Sequence, residues 1–481
     1  MKNNLIFLLL LSLIMFSSCE DFLEENPKSL IAFTNFDEDI LESATIGLYE
    51  PLTRSRGRLW ESHYMAHLTA LGEYTHSRLS KVNTQLCEYD FENKHSWSDN
   101  AWPSFYEAIG RANILLKQVE GNKDIPEEKI NQAVAEARFV RGTCYYHLVR
   151  GWGKVPLRLE PVTDVQSSGL ALAETDDIYS QIISDIEFAI SNLPDKTSST
   201  GRATSGAAKT ELADIYLTLH RYSDARMLVK EIMDNKNTYG YDLITSLETL
   251  FSPTSPTNME DIFSIKFSQI KGLGSFLPTY FAPRSNSSGM AARGLEVLGV
   301  TDSAALVKNW DDKDLRKNLN LLNYYVDNGD TTDVVLSKPC KFVFGKYRDP
   351  GAPEETAGGN DVYLYRYADV LLIFAETENQ INGPTADAYE AVNMIRRRAY
   401  GVPIDSPNAE VDLPSGLSQS EFDDLVLRER GYEFMAEGKR WYDLVRTGKW
   451  QTIIPEAGKK LPTLLYWPLP PKEIIYNDEL E

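Results

Sequence analysis

Residues 203–234 set the small side chains Ala208 and Ala213 ahead of Tyr216, turn within Leu219 to Arg221, and resume with Ala225, Leu228 and Ile232. Apolar positions at three- and four-residue intervals form one stripe on each of two consecutive helices. Small residues on the stripe let the two axes approach closely, and a short turn folds the second helix back on the first. That is the logic of a tetratricopeptide-like unit.

A second such pair is expected from Tyr363 to Ala399, with Ala368, Leu371, Leu372 and Ala375 on one helix, a break at Asn382-Gly383-Pro384, and Ala388, Val392 and Ile395 on the next. Weaker stripes precede both: Ile40, Leu41, Ala44 and Leu48; then Phe105, Ile109, Ala112, Leu116 and Val119; then Ile130, Ala133, Ala137, Val140 and Tyr145; then Ile178, Ile182, Ile186, Ala189 and Leu193. Pro103 is read as lying in a first helical turn, where its missing N–H costs nothing. Trp102, opening the helix of Phe105 and Ile109, is assigned to packing.

Residues 240–360 change character, with Pro253, Pro256, Pro278 and Pro283, many Ser and Gly, and few amphipathic runs. They read as an inserted, loop-rich lobe. Within it, Tyr324-Tyr325-Val326 and Val334-Val335-Leu336 flank Asp327-Asn328-Gly329-Asp330, and Asn-Gly supplies the positive φ of a tight hairpin turn. At 481 residues and 42% hydrophobic content the chain has enough material for one large domain or two fused lobes.

At the N-terminus Lys2 precedes the apolar run Leu5 to Phe16, too short to span a bilayer and laid out as a secretory leader. Ser17 and Ser18 lead into Cys19, so the site resembles a bacterial lipobox in which Cys19 becomes the acylated N-terminus. More than one acyl chain, at about 0.8 kcal/mol per buried CH₂, would anchor the protein without a transmembrane helix. Residues 1–18 are therefore read as a signal peptide and 19–35 as a lipidated tether.

Removing residues 1–18 takes away only Lys2, leaving 48 basic against 70 acidic residues, a net charge of −22. Such a chain repels phosphate backbones, which argues against a nucleic-acid partner. Cys87, Cys144 and Cys340 remain after Cys19, an odd number that cannot complete a disulfide framework. G-x-S-x-G, P-loop, G-x-G-x-x-G and H-E-x-x-H patterns are all missing. His63 and His67 share a helix spacing without a clear third ligand, and Asp327, Asp330 and Asp333 lack the closing Glu of a calcium loop. No metal, no cofactor and no catalytic residue is assigned.

Five stretches together resemble the SusD/RagB family: CEDFLEENP at 19, ARFVRGTCYYHLVRGWGKVPL at 137, YRYADVLLIFAETEN at 365, RERGYEFMAEGKRWYDLVRTGKW at 428 and WPLPPKEIIYNDEL at 467. The resemblance implies a mainly α fold, a right-handed superhelix of tetratricopeptide-like helix pairs with an irregular ligand-facing lobe. It also implies an outer-membrane nutrient-binding lipoprotein seated over a SusC-like TonB-dependent transporter. Glu20 and Asp21 after Cys19 resemble a surface-export signal, which implies an anchor facing the cell exterior.

The organisation expected is 36–239 as an N-terminal helical-repeat part with a ligand-loop insertion near 72–102, 240–360 as the loop-rich lobe, and 361–481 as a C-terminal helical part. The function expected is non-catalytic binding of an oligo- or polysaccharide. The same scaffold binding a peptide or other polymer is the alternative, and a glycoside hydrolase, which needs only two carboxylates, the remoter one. In Glu437 to Asp443, helical spacing brings Glu437 to Arg440 and Trp441, a structural ion pair and packing stripe.

Sugar faces stack on aromatic rings while hydroxyls pair with amides, carboxylates and Arg. Two loop regions offer that mixture, 72–102 and 276–310. The candidates drawn from them are Tyr74, Arg78, Trp97, Asn100, Tyr280, Arg284 and Trp310.

Overall fold

The computed structural model describes residues 36–53, 59–77, 81–91, 98–163, 169–254, 258–284, 289–327, 330–334 and 338–480. Cys19 and the tether at 19–35 lie outside them.

Helices α1 (Glu38–Gly47), α2 (Tyr64–Ala70), α3 (Ser98–Gln118), α4 (Glu127–Trp152), α5 (Thr175–Asn192), α6 (Ser205–Thr218) and α7 (Tyr222–Asp234) run through the N-terminal half. Their starts are set locally. Asp37 accepts the Ile40 N–H at 3.0 Å and Thr204 the Ala207 N–H at 3.2 Å, side chains meeting amides that have no partner inside the helix. Between α6 and α7 the chain reverses at His220, whose φ of +56° puts it in the left-handed region, and Arg221 N–H closes the turn on the Tyr216 carbonyl at 2.8 Å.

The stripes then bury as expected. Ala207, Ala208, Leu212, Ala213 and Ile215 on α6 and Ala225, Val229 and Ile232 on α7 are buried in one core, and the two helices pack on each other. Each fully buried Val or Ile contributes about 1.5–3 kcal/mol. Gly206 on α6 packs as closely on the segment that follows α7, because a Cβ there would sit 2.6 Å from the Tyr241 hydroxyl oxygen. The second pair, α8 (Tyr367–Asn382) and α9 (Ala386–Ala399), docks on the first through α7, and α10 (Gln419–Glu433) and α11 (Arg440–Arg446) follow. Ser418 and Glu421 form a capping box at the start of α10. The result is a mainly helical protein whose consecutive pairs are consistent with tetratricopeptide-like packing.

Strands are short and paired in twos. β1 (Thr75–Ser77) pairs with β3 (Leu298–Val300), β2 (Asp261–Ile265) with β8 (Val362–Arg366), β4 (Leu321–Leu322) with β7 (Val343–Phe344), and β5 (Tyr324–Asp327) with β6 (Asp330–Asp333), all antiparallel. One apolar core runs from Leu41 to Trp467 and takes in Phe263, Leu277, Phe281 and Phe344 from the loop-rich segment. Among the described residues no helix is long and apolar enough to cross a membrane.

Several local expectations need correction. Tyr363 lies in β8, where a fully buried strand replaces the first helical turn. Pro103 is the sixth residue of α3, so the helix starts upstream and forgoes the bond that a residue-103 amide would make. The strand that returns against Tyr324–Asp327 is Asp330–Asp333, upstream of the expected Val334 to Leu336, because Asp327 pairs with Asp330. The stretch from 428 is two helices, since Ala436 and Gly438 with φ of +61° and +74° break it between α10 and α11. Glu437 therefore does not reach Arg440. It pairs with Arg366 at 2.9 Å and Lys346 at 2.7 Å, while Arg440 pairs with Glu73 at 2.6 Å.

These pairs belong to a buried network. Arg366 also meets Glu260 and Glu433, and Arg398 meets the same two carboxylates at 2.5 Å each. Burial pushes the Glu433 carboxyl up, but Arg398, Arg366 and Arg316 outweigh it and hold the group well below the usual carboxylate range.

Candidate ligand-binding site

The two candidate loop regions meet at the β1–β3 ladder. Thr75 stands opposite Val300, His76 opposite Gly299 and Ser77 opposite Leu298, with Thr301 N–H extending the pairing to the Tyr74 carbonyl at 2.9 Å. Gly299 is required by closeness, since a Cβ there would lie 2.6 Å from the Cys340 sulfur. Lys459 locks the other side of β1, its ammonium donating to the Thr75 carbonyl at 2.8 Å and to the Gly72 carbonyl at 3.2 Å. Segments more than two hundred residues apart are thus held in one register.

Beside this ladder the short helix Leu277–Phe281 carries Tyr280, with Pro278 in its first turn. Val297 N–H donates to the Tyr280 carbonyl and Leu295 N–H to the Thr279 carbonyl, both at 2.9 Å, so the helix is tied to the strand that enters the ladder. Phe276 N–H and the Ser275 hydroxyl both donate to the Glu61 carbonyl at 3.0 Å, which brings up the π-helical turn Leu59–His63.

The Tyr280 ring consequently meets Phe276 edge-on at 5.4 Å between centroids and His63 at 5.7 Å, and all three are half-buried. His63 contacts His67 at 6.1 Å, and burial, with the His63 charge as the lesser cause, lowers His67 to about 3, so its ring is neutral. A charged pair is tied to the same short helix. Thr279 donates to the Glu355 carbonyl at 2.9 Å, and Glu355 pairs with the exposed Arg293 at 3.1 Å. Aromatic surface with a polar edge is what a pyranose ring and its hydroxyls require.

Of the candidates, Tyr280 lies in this patch and Arg284 is exposed just past the helix that carries it. Two others need correction. Tyr74 is only 1% exposed and packs edge-on against Phe344, and Trp310 is 3% exposed and stacks on Tyr432 at 4.5 Å. Both are core residues because the ladder and α10 cover them, so neither offers a face to a ligand. Arg78 and Trp97 lie outside the described residues, and Asn100 sits in the first turn of α3 with its side chain undescribed. Trp102 is buried, its indole N–H donating to Glu473 at 3.1 Å and its ring edge-on to Trp152. His63 was not legible as a patch member, since it arrives on a π-helical turn that no sequence period marks.

The SusD family model matches residues 299–460, and a second SusD-like model, described as starch-binding and associating with the outer membrane, matches residues 21–217. A SusD-like protein of Formosa agariphila is 28% identical over 90% of this chain and 87% of its own length, and one of Bacteroides ovatus is 26% identical over 95% and 84%. Among solved structures, a SusD homologue from Bacteroides thetaiotaomicron superposes with a TM-score of 0.80 at 21% identity, covering 92% of this chain and 96% of that one. Surface glycan-binding protein A from the same organism, in complex with laminarihexaose, superposes with a TM-score of 0.75 at 21% identity over 92% and 98%.

Proposed function

The chain belongs to the SusD/RagB family, and from that premise we propose that it captures a glycan at the cell surface without transforming it. The observation that carries this reading is the half-exposed Tyr280, Phe276 and His63 patch, held beside the ladder that joins both ligand-loop regions. In this reading Tyr280 is the leading stacking residue and Arg284 a polar partner, with Arg78, Trp97 and Asn100 contributing from the first loop region. A laminarin-binding SusD-like protein superposes with a TM-score of 0.76, and the laminarihexaose complex makes β-glucans the first ligands to try.

The acidic clusters support capture over hydrolysis. Glu260, Glu433 and Glu437 are locked in ion pairs with buried arginines, which leaves none of them to act as acid or base. Glu211, pushed up to about 8 by burial, has the pKa of a general acid, but it is fully buried in α6 and accepts a hydrogen bond from Thr143 at 2.8 Å.

Cys19 would be acylated, the protein held on the outer membrane facing outward, and the glycan passed to a SusC-like TonB-dependent transporter. Family membership and the leader sequence support it. Calorimetric titration of the leaderless protein against laminarin, starch, xylan, mannan and galactan oligosaccharides tests the binding, with reducing-end assays of the same mixtures. Binding without new reducing ends is expected; glycan cleavage, or no binding across the panel, overturns the reading.

A further inference from the structure

We infer that a second subsite, for a short stretch of neutral saccharide, occupies the cleft between the helix Lys81–Cys87, strand β1, Thr301 to Ser303 and the segment Ala457 to Thr463. It deepens the glycan-binding reading and rests on it. None of its lining residues belongs to the Tyr280 patch.

The cleft encloses about 610 Å³, inside the roughly 300–1,000 Å³ range of small-ligand sites. Its walls are rigid where it matters. Tyr89 has a φ of +57°, a left-handed conformation that is strained for a non-glycine residue. Three contacts hold it there: its hydroxyl donates to the Leu71 carbonyl at 3.0 Å, its ring stacks on Trp441 at 5.5 Å, and the Lys459 ammonium lies 5.4 Å from the ring centre. The effect is to fix the neighbouring Glu88 and Asp90 on the cleft wall.

The lining chemistry selects the ligand class. Glu88 and Asp90 against Lys459 and Lys460 give −2 and +2, a net charge of zero. Burial first, and the Lys459 ammonium second, lower the His76 imidazole below its ordinary value, so at neutral pH it donates from one nitrogen and accepts at the other. Hydroxyls of Thr84 and Ser303 add groups that do both. A phosphorylated or polyacidic ligand finds no charge excess to meet it, and an apolar ligand would strip water from these groups without replacing the hydrogen bonds. Adjacent sugar hydroxyls, each a donor and an acceptor, satisfy carboxylates, ammonium and hydroxyls together.

The test uses the leaderless full chain and the same oligosaccharide panel, comparing Ser303→Trp, which fills the cleft from an exposed position, Glu88→Ala, which removes one acceptor, and Tyr280→Ala. Ser303→Trp should weaken the bound glycan by about tenfold or more and Glu88→Ala by several-fold at unchanged melting temperature. Saturation-transfer NMR should show contacts that survive Tyr280→Ala and vanish in Ser303→Trp. If both cleft variants bind like the parent while Tyr280→Ala abolishes binding, the cleft assignment is overturned and the surface reading stands. If the parent binds none of the panel, both fall. Should Ser303→Trp fail to fold, Glu88→Ala decides alone, since Glu88 is exposed.

Discussion

Arg366 and Glu437 meet through two charge-assisted hydrogen bonds, Nε to Oε2 and Nη2 to Oε1, each 2.9 Å long, with both side chains sealed from solvent. Because Glu260 and Glu433 share the same guanidinium, removing it leaves three buried carboxylates with only Arg398, Arg316 and Lys346 to offset their charge in a medium that cannot solvate them. Arg366→Met should destabilise the fold by about 3–5 kcal/mol, read as a lowered urea midpoint. A loss below about 1 kcal/mol would show that Arg398, Arg316 and Lys346 suffice to hold the carboxylates.

Glu211 titrates in the opposite sense. Burial raises it from 4.5 to about 8, with the Thr143 hydroxyl and Arg150 pulling it back only in part. A raised carboxyl contributes stability that is complete below its unfolded value and is lost as pH rises from about 4.5 to 8. Glu211→Gln abolishes that titration. The variant should match the parent near pH 5 and exceed it near pH 8 by roughly 1–4 kcal/mol in thermal or denaturant unfolding. A pH-independent difference would contradict the assignment.

Tyr280 and Trp310 should separate binding from folding. Tyr280→Ala truncates a half-buried ring and should cost about 1–3 kcal/mol of glycan affinity, a ten- to hundredfold weakening, with little change in melting temperature. Trp310→Ala instead empties a core position stacked on Tyr432 and should cost about 3–5 kcal/mol of stability. Equal affinity of Tyr280→Ala and the parent would remove Tyr280 from the site.

Gly206→Ala tests the close approach of α6 to its neighbours. Alanine gains about 1 kcal/mol of helix propensity, but its Cβ would press on Tyr241, whose hydroxyl is bonded to Thr204 at 3.0 Å and whose ring carbon would lie 2.7 Å away. Overpacking of about 1–3 kcal/mol wins. The expected outcome is a melting temperature lower by a few degrees, and a rise would mean that the Tyr241 ring yields freely.

Cys19→Ala should leave the body folded while releasing it from membranes into the soluble fraction, because acyl chains supply the anchoring energy. A variant that still sediments with outer membrane would exclude the lipid anchor.

How much of this could be read beforehand depends on the distance over which each feature is written. The α6 and α7 stripes are local: Ala208, Leu212 and Ala225 recur at helical spacing, and one turn separates them. The hairpin of β5 and β6 was visible through Asn328-Gly329, although its second strand was displaced. Ion partners are not legible, because Arg366 at the end of β8 and Glu437 in the turn before α11 are 71 residues apart and no local period couples them. The burial of Trp310 is hidden for a similar reason, since it is α10, far along the chain, that supplies Tyr432 to cover it. Tyr280 stays half-buried, in near-perpendicular contact with Phe276 and His63.

Glu73 and Arg440 are 367 positions apart, yet they share a bidentate contact in which both side chains are buried. A chain synthesised from its N-terminus must therefore carry Glu73 without its counter-charge until nearly all of the remaining sequence has arrived. Contacts of this separation slow folding, because a long loop has to close before they reward it. A chain truncated ahead of α11 would keep an unpaired carboxylate inside its first-made half, remain open, and fall to proteases. The fold thereby checks its own completeness, withholding a stable body from any copy that lacks its last helices.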